Sequence, residues 1–159
     1  MSGLLYILTL LSALGCGLVA GVFFAFSSFV MPALKRLPAA EGIAAMQSIN
    51  VLAVTLVFMT ALFGTAAACL GLAAWAVISI GGAPLALVLI GCGLYLVGAI
   101  GVTIVCNVPL NNRLEKLHPR DSDAAGVWDV YLTRWSAWNH VRTVTALVAA
   151  TLLTIALQA

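Results

Sequence analysis

Seven polar side chains stand where apolar runs of this sequence end: Asn50, Asn107, Asn111, Asn112, Asn139, His140 and Arg142. Asparagine is depleted where a helix faces lipid, because its amide loses hydrogen bonds to water. Asn107 and Asn111 are four residues apart and share a helix face. Asn139 and Arg142 are three apart and share another, in line with Trp135. Arg142 lies slightly inside an apolar run, where an ionisable group is costly and is by default a functional-site candidate. His140 is the one imidazole of this cluster, and it reads equally as a general base or as an interfacial histidine in water. A base, hydrogen-bond donors and a guanidinium suit chemistry in which a proton is taken from a substrate and the resulting oxyanion is held. Trp135 and Trp138 are candidate walls of a slot for a flat ring. The competing reading is structural: the asparagines cap helix ends and Arg142 reaches the headgroups.

Other chemistries find little support. His118 and His140 lie on separate segments with no cysteine or carboxylate at ligand spacing, so no metal site is expected. His118 precedes Pro119 and reads as a solvated loop residue. There is no Gly-rich phosphate loop and no nucleophile elbow, and no cofactor is expected. A net charge of +2, with mixed signs, does not suit nucleic-acid binding.

The elements that must position these residues are apolar helices. The chain has 159 residues, 64% hydrophobic and only 8% charged, with a mean hydropathy of +1.16. A soluble domain carries roughly 25% charged residues, so most of this surface must face lipid. Four stretches have the length, about 20 apolar residues, that a helix needs to cross a bilayer: about 4–31, 51–80, 85–108 and 141–157. They have no period of two and are too long for barrel strands. The expected fold is all-α, a single transmembrane domain over 1–159. It is a four-helix bundle with an interfacial amphipathic helix before the last span. The first span lacks a basic n-region and is too long for a signal peptide, so it is expected to stay as helix 1.

All charged side chains fall between 32 and 50 or between 109 and 142, and the polar loops 32–50 and 109–140 are expected on one side. The positive-inside rule makes them cytoplasmic, in a bacterial inner membrane, with both termini outside. Beyond Pro119, Asp121 or Ser122 is placed to cap a new helix. Trp128, Tyr131, Leu132, Trp135 and Trp138 then follow helical spacing, as an amphipathic surface helix would. Pro109 is expected to kink the third span. Ala13, Gly17, Gly21 and Ala25 form a small-residue stripe that reads as a helix–helix seam. Val30-Met31-Pro32 and Val108-Pro109 end the first and third spans alike, a faint sign of two parallel hairpins. Cys69 and Cys92 fall at similar depth, and simple packing is the better reading of both.

The run Gly21-Val22-Phe23-Phe24-Ala25-Phe26-Ser27-Ser28-Phe29-Val30-Met31-Pro32-Ala33-Leu34 resembles the first span of the anthrone oxygenase-like family, small four-span membrane proteins mostly of unknown function. Asn107-Val108-Pro109-Leu110-Asn111-Asn112 and Trp135-Ser136-Ala137-Trp138-Asn139-His140-Val141-Arg142-Thr143 resemble its other signatures. The resemblance implies the fold, and it implies an activity known for members in polyketide pathways: oxidation of an anthrone to a quinone with O2 and no organic cofactor.

For that reaction His140 and Arg142 are the expected catalytic residues, with His140 as base. Asn107 and Asn111 join Arg142 as the oxyanion cradle. Asn50, Asn139, Trp135 and Trp138 complete the substrate site. The expected partners are the lipid bilayer, a flat aromatic small molecule and O2, and a homo-oligomer is compatible with the sequence. The alternative is a non-enzymatic membrane protein: a small-molecule binder, a transporter subunit or an assembly factor. A pocket of roughly 300 Å³ or more at this cluster favours the enzyme.

Overall fold

The computed structural model describes residues 3–158, and among them there is no strand. Four helices are long and apolar enough to cross a membrane: α1 (Gly3–Lys35), α3 (Leu56–Ser79), α4 (Gly82–Glu115) and α5 (Ala124–Ala156). A fifth, α2 (Ala39–Ala53), links the first two. The protein is an integral membrane four-helix bundle.

Helices α1, α4 and α5 have 33, 34 and 33 residues. At 1.5 Å per residue each is about 50 Å long, against about 30 Å of hydrocarbon. The excess lies at the end that carries the charges, and there it builds a second core. The first core joins α1, α3, α4 and α5 around Leu5, Cys16, Leu72, Val88, Tyr95 and Leu153. The second joins α1, α2, α4 and α5 around Met31, Ile43, Met46, Leu114, Trp128 and Trp135. Lipid offers no hydrophobic drive for helices to associate, so the first core depends on close packing. Gly98 of α4 lies so close to Thr145 of α5 that a side chain there would collide with it.

The segment expected as a polar loop to residue 50 is largely helix. Pro38 starts α2, Glu41 complements its first turn, and Ile43 and Met46, three apart, face inward. Gln47 of α2 donates from Nε2 to the carbonyls of Leu114 and Leu117, both at 2.9 Å. It thereby ties α2 to the turn that ends α4, where the Leu114 carbonyl also accepts from the Leu117 amide at 3.1 Å. The break that follows falls at Val54, and Thr55 caps α3 by accepting from the Phe58 amide at 3.3 Å. Residues 51–53, assigned by hydropathy to the second span, belong to α2.

The amphipathic segment before the last span is the first half of α5, which runs unbroken to Ala156. Trp128, Tyr131, Leu132 and Trp135 form its buried face. Asp123, not Asp121 or Ser122, precedes the helix, and its side chain makes no cap bond; Asp121 lies 3.9 Å from His118. The α3–α4 link turns at Gly82, whose φ of +66° only glycine adopts freely.

Pro109 does not break α4. Five residues with wide π-type turns, Thr103–Asn107, precede it, and Phe26–Val30 precede Pro32 in the same way. A proline ring collides with the carbonyl four residues back, and a wider turn moves that carbonyl aside. The small-residue stripe is only partly a seam. Ala13 is buried and Gly17 faces Ala150, but nothing approaches Gly21. Cys16, Cys69 and Cys92 are free thiols buried in the first core, with Cys16 Sγ 4.0 Å from Cys69 Sγ.

Candidate functional site

Between the two cores lies a cavity of about 210 Å³, walled by α1, α2, α3, α4 and α5. Its walls are apolar and aromatic, with Phe23, Phe26, Phe58 and Trp135 among them. Its polar lining consists of Asn50, Thr103, Asn111, Asn139 and Arg142. It is smaller than the roughly 300 Å³ at which sites for drug-sized ligands begin.

Arg142 is the centre of this site. Only 5% of it is exposed, so it does not snorkel. Nη2 donates to Asn139 Oδ1 at 2.7 Å and Nη1 to Thr103 Oγ1 at 3.1 Å. The guanidinium carbon lies 4.3 Å from the centre of the Phe23 ring and 5.1 Å from that of Trp135. Such contacts contribute about 0.5–2 kcal/mol each. Among the described residues no carboxylate pairs with Arg142, and its Nε has no hydrogen-bond partner. The effective cost of burying an unpaired ion is several kcal/mol, which two neutral acceptors and two ring faces only partly offset. The site is therefore electropositive and short of one acceptor.

The neighbours of Arg142 are held firmly. Asn139, fully buried, donates from Nδ2 to the Phe23 carbonyl and to Ser27 Oγ, both at 2.7 Å. This ties α5 to α1 and aims its Oδ1 at Arg142. Asn111 Oδ1 accepts from Trp135 Nε1 at 2.8 Å and from the Tyr131 hydroxyl at 2.9 Å. That fixes the Trp135 ring, which also lies 5.6 Å from Phe26 in a tilted pair. Asn50 stands across the cavity, near Tyr131, but its Nδ2 makes no hydrogen bond of good geometry.

The expected residues thus divide. Asn50, Asn111, Asn139, Trp135 and Arg142 come together around one space. Asn107, one turn before Asn111 on α4, is buried, donates to the Trp135 carbonyl at 3.3 Å and is not in the cavity wall. Trp138 is 41% exposed and turned away. His140 is also outside the wall. It is exposed, in an open cleft with Lys35 and Ser136, and its Nδ1 lies 2.9 Å from Ser27 Oγ. Both follow from helix geometry: residues 138 and 140 each sit about 100° around α5 from Asn139. Asn112 is exposed too. Phe23, Phe26, Ser27 and Thr103 were not singled out, and they complete the site. A signal existed for Phe23 and Ser27, which lie four apart on one helix face. Thr103 and Asn107 are likewise four apart.

A protein-family model described as Anthrone oxygenase matches residues 54–152, more than half of the chain. Among curated proteins and among solved structures nothing matches.

Proposed function

The chain belongs to the anthrone oxygenase family, and on that premise we propose that it oxidises a flat, weakly acidic phenolic substrate of the anthrone type to a quinone with O2. The observation that carries this reading is the buried guanidinium that lines an aromatic-walled cavity and has no paired carboxylate among the described residues. An anthrone has a CH₂ between two rings. Loss of one proton gives a delocalised anion whose charge rests largely on the carbonyl oxygen. Arg142 and Asn50 line the cavity, and in this reading that pair receives the oxygen while Phe26 and Trp135 flank the ring. At about 4 Å and an effective dielectric near 20, one cation stabilises such an anion by about 4 kcal/mol.

The anion supplies the electrons. It reduces O2 and recombines at the former CH₂ carbon, forming a C–O bond; the terminal peroxide oxygen takes a proton. The remaining C–H proton then leaves, the O–O bond breaks, and water departs as C=O forms. The sum is R₂CH₂ + O2 → R₂C=O + H₂O. In this reading His140 is not the base, because Asn139 and Ser27 separate it from the cavity. The first proton goes to water as Arg142 stabilises the anion. The two basic segments face the cytoplasm of a bacterial inner membrane, with both termini on the other side.

The test is purified protein in lipid nanodiscs with an anthrone under O2, following quinone absorbance and oxygen uptake. Turnover above empty nanodiscs, with one O2 per quinone, is the expected result. Arg142→Met is expected to lower it at least 100-fold. It should lower stability by no more than about 1 kcal/mol, since relief of desolvation offsets the lost bonds. Saturable binding with turnover equal to the blank would leave a small-molecule binder and remove the oxygenase.

A further inference from the structure

The cavity continues on one side into further apolar space, and that side indicates how a ligand enters. A second hollow of about 270 Å³ shares Val22, Phe26, Ile49, Ala53 and Phe58 with it and adds Leu52. This hollow lies between α1 and the α2–α3 break, with an almost wholly apolar lining. The surface around it is hydrocarbon: Leu52, Val54, Leu56 and Val57 are 67%, 72%, 83% and 82% exposed. Four such residues in a run of six form an apolar patch of the kind that a membrane covers, and they stand at the start of a membrane-spanning helix. The backbone between them is irregular, with Val54 outside helical geometry. This break in the backbone borders the cavity, which Val54 lines.

We propose that the gap between Val22 and Phe26 of α1 and Leu52 and Phe58 of the α2–α3 break is a lateral doorway. Through it a lipid-dissolved aromatic acid enters from the bilayer, acidic oxygen first, and stops with that oxygen at Arg142. The inference rests on the cavity being the binding site proposed above, and not on the oxygenase chemistry. The asymmetry sets the ligand class: donors occur at the deep end only, so the ligand carries one ionisable oxygen at one end of an apolar, planar body. A second polar group at the far end would lie in the apolar doorway with no partner.

The test uses 2-naphthol, whose ionised form absorbs at longer wavelength, mixed rapidly with the protein in nanodiscs. Wild type is expected to bind it saturably as the naphtholate, and Arg142→Met to lose that spectral form. Leu52→Trp narrows the doorway without entering the cavity wall. It is expected to slow association and dissociation together, by about tenfold, and to leave Kd within twofold of wild type. Leu70→Trp, an equally lipid-exposed position on α3, should change neither rate. The idea is overturned if Leu52→Trp changes neither rate, if it changes Kd through dissociation alone, or if wild type shows no saturable binding. Naphtholate binding with no anthrone turnover would sink the oxygenase while leaving the doorway in place.

Discussion

At the scale of single residues, Arg142 is held by neutral partners, and the charge is left for a ligand to meet. A carboxylate introduced beside it should do the ligand's work. Thr103 Oγ1 lies 3.1 Å from Nη1, so Thr103→Asp places an anion against the guanidinium from within the protein. The variant is expected to remain folded and to lose 2-naphtholate binding by 100-fold or more, read by spectral titration. A second expectation separates the wall from its surroundings. Trp138→Ala and His140→Ala, both at exposed positions outside the cavity, should each leave anthrone turnover within threefold of wild type; a tenfold loss in His140→Ala would restore it as the base. Asn139, Arg142 and Trp135 were legible in the sequence because polar and aromatic groups at helical spacing stand out against hydrocarbon. Ser27 and Thr103 were not, because a hydroxyl in an apolar helix usually bonds its own backbone, as Ser28 does to the Phe24 carbonyl at 2.7 Å.

At the scale of the element, the spans depart from regular helix where they meet partners. The wide turns over Thr60–Gly64 in α3 and Leu94–Gly101 in α4 are joined by Tyr95, whose hydroxyl donates to the Leu62 carbonyl at 2.9 Å. The ring is fully buried. Tyr95→Phe removes this bond and the hydroxyl's contact with Thr65, and it is expected to lower stability by about 1 kcal/mol, the order of a hydrogen bond in a membrane bundle. Reversible unfolding in mixed detergent micelles would measure it, and naphtholate binding should be unchanged. Hydropathy revealed the long helices but not α2. A helix with one acid and several alanines reads as loop beside spans of pure hydrocarbon, and its identity rests on contacts with the end of α4, 70 residues away in sequence, and with α5 beyond it. The same limit applies to Pro109: the rule that proline kinks a helix does not anticipate a helix that widens just before the ring.

At the scale of the whole molecule, three helices about 50 Å long stand in a layer about 30 Å deep, and the doorway lies near the level where the two cores meet. How far the bundle sinks is set by matching its apolar girdle to the bilayer. Acyl-chain length should therefore act as a throttle. In vesicles of long-chain lipids Leu52 and Val54 remain within hydrocarbon and a greasy ligand finds its way in. In short-chain lipids they rise toward the phosphates, and uptake of 2-naphthol should slow as the chains shorten, with Kd for the ligand already bound unchanged. An organism that remodels its membrane thickness with temperature would thereby retune this protein with no effector molecule and no covalent change.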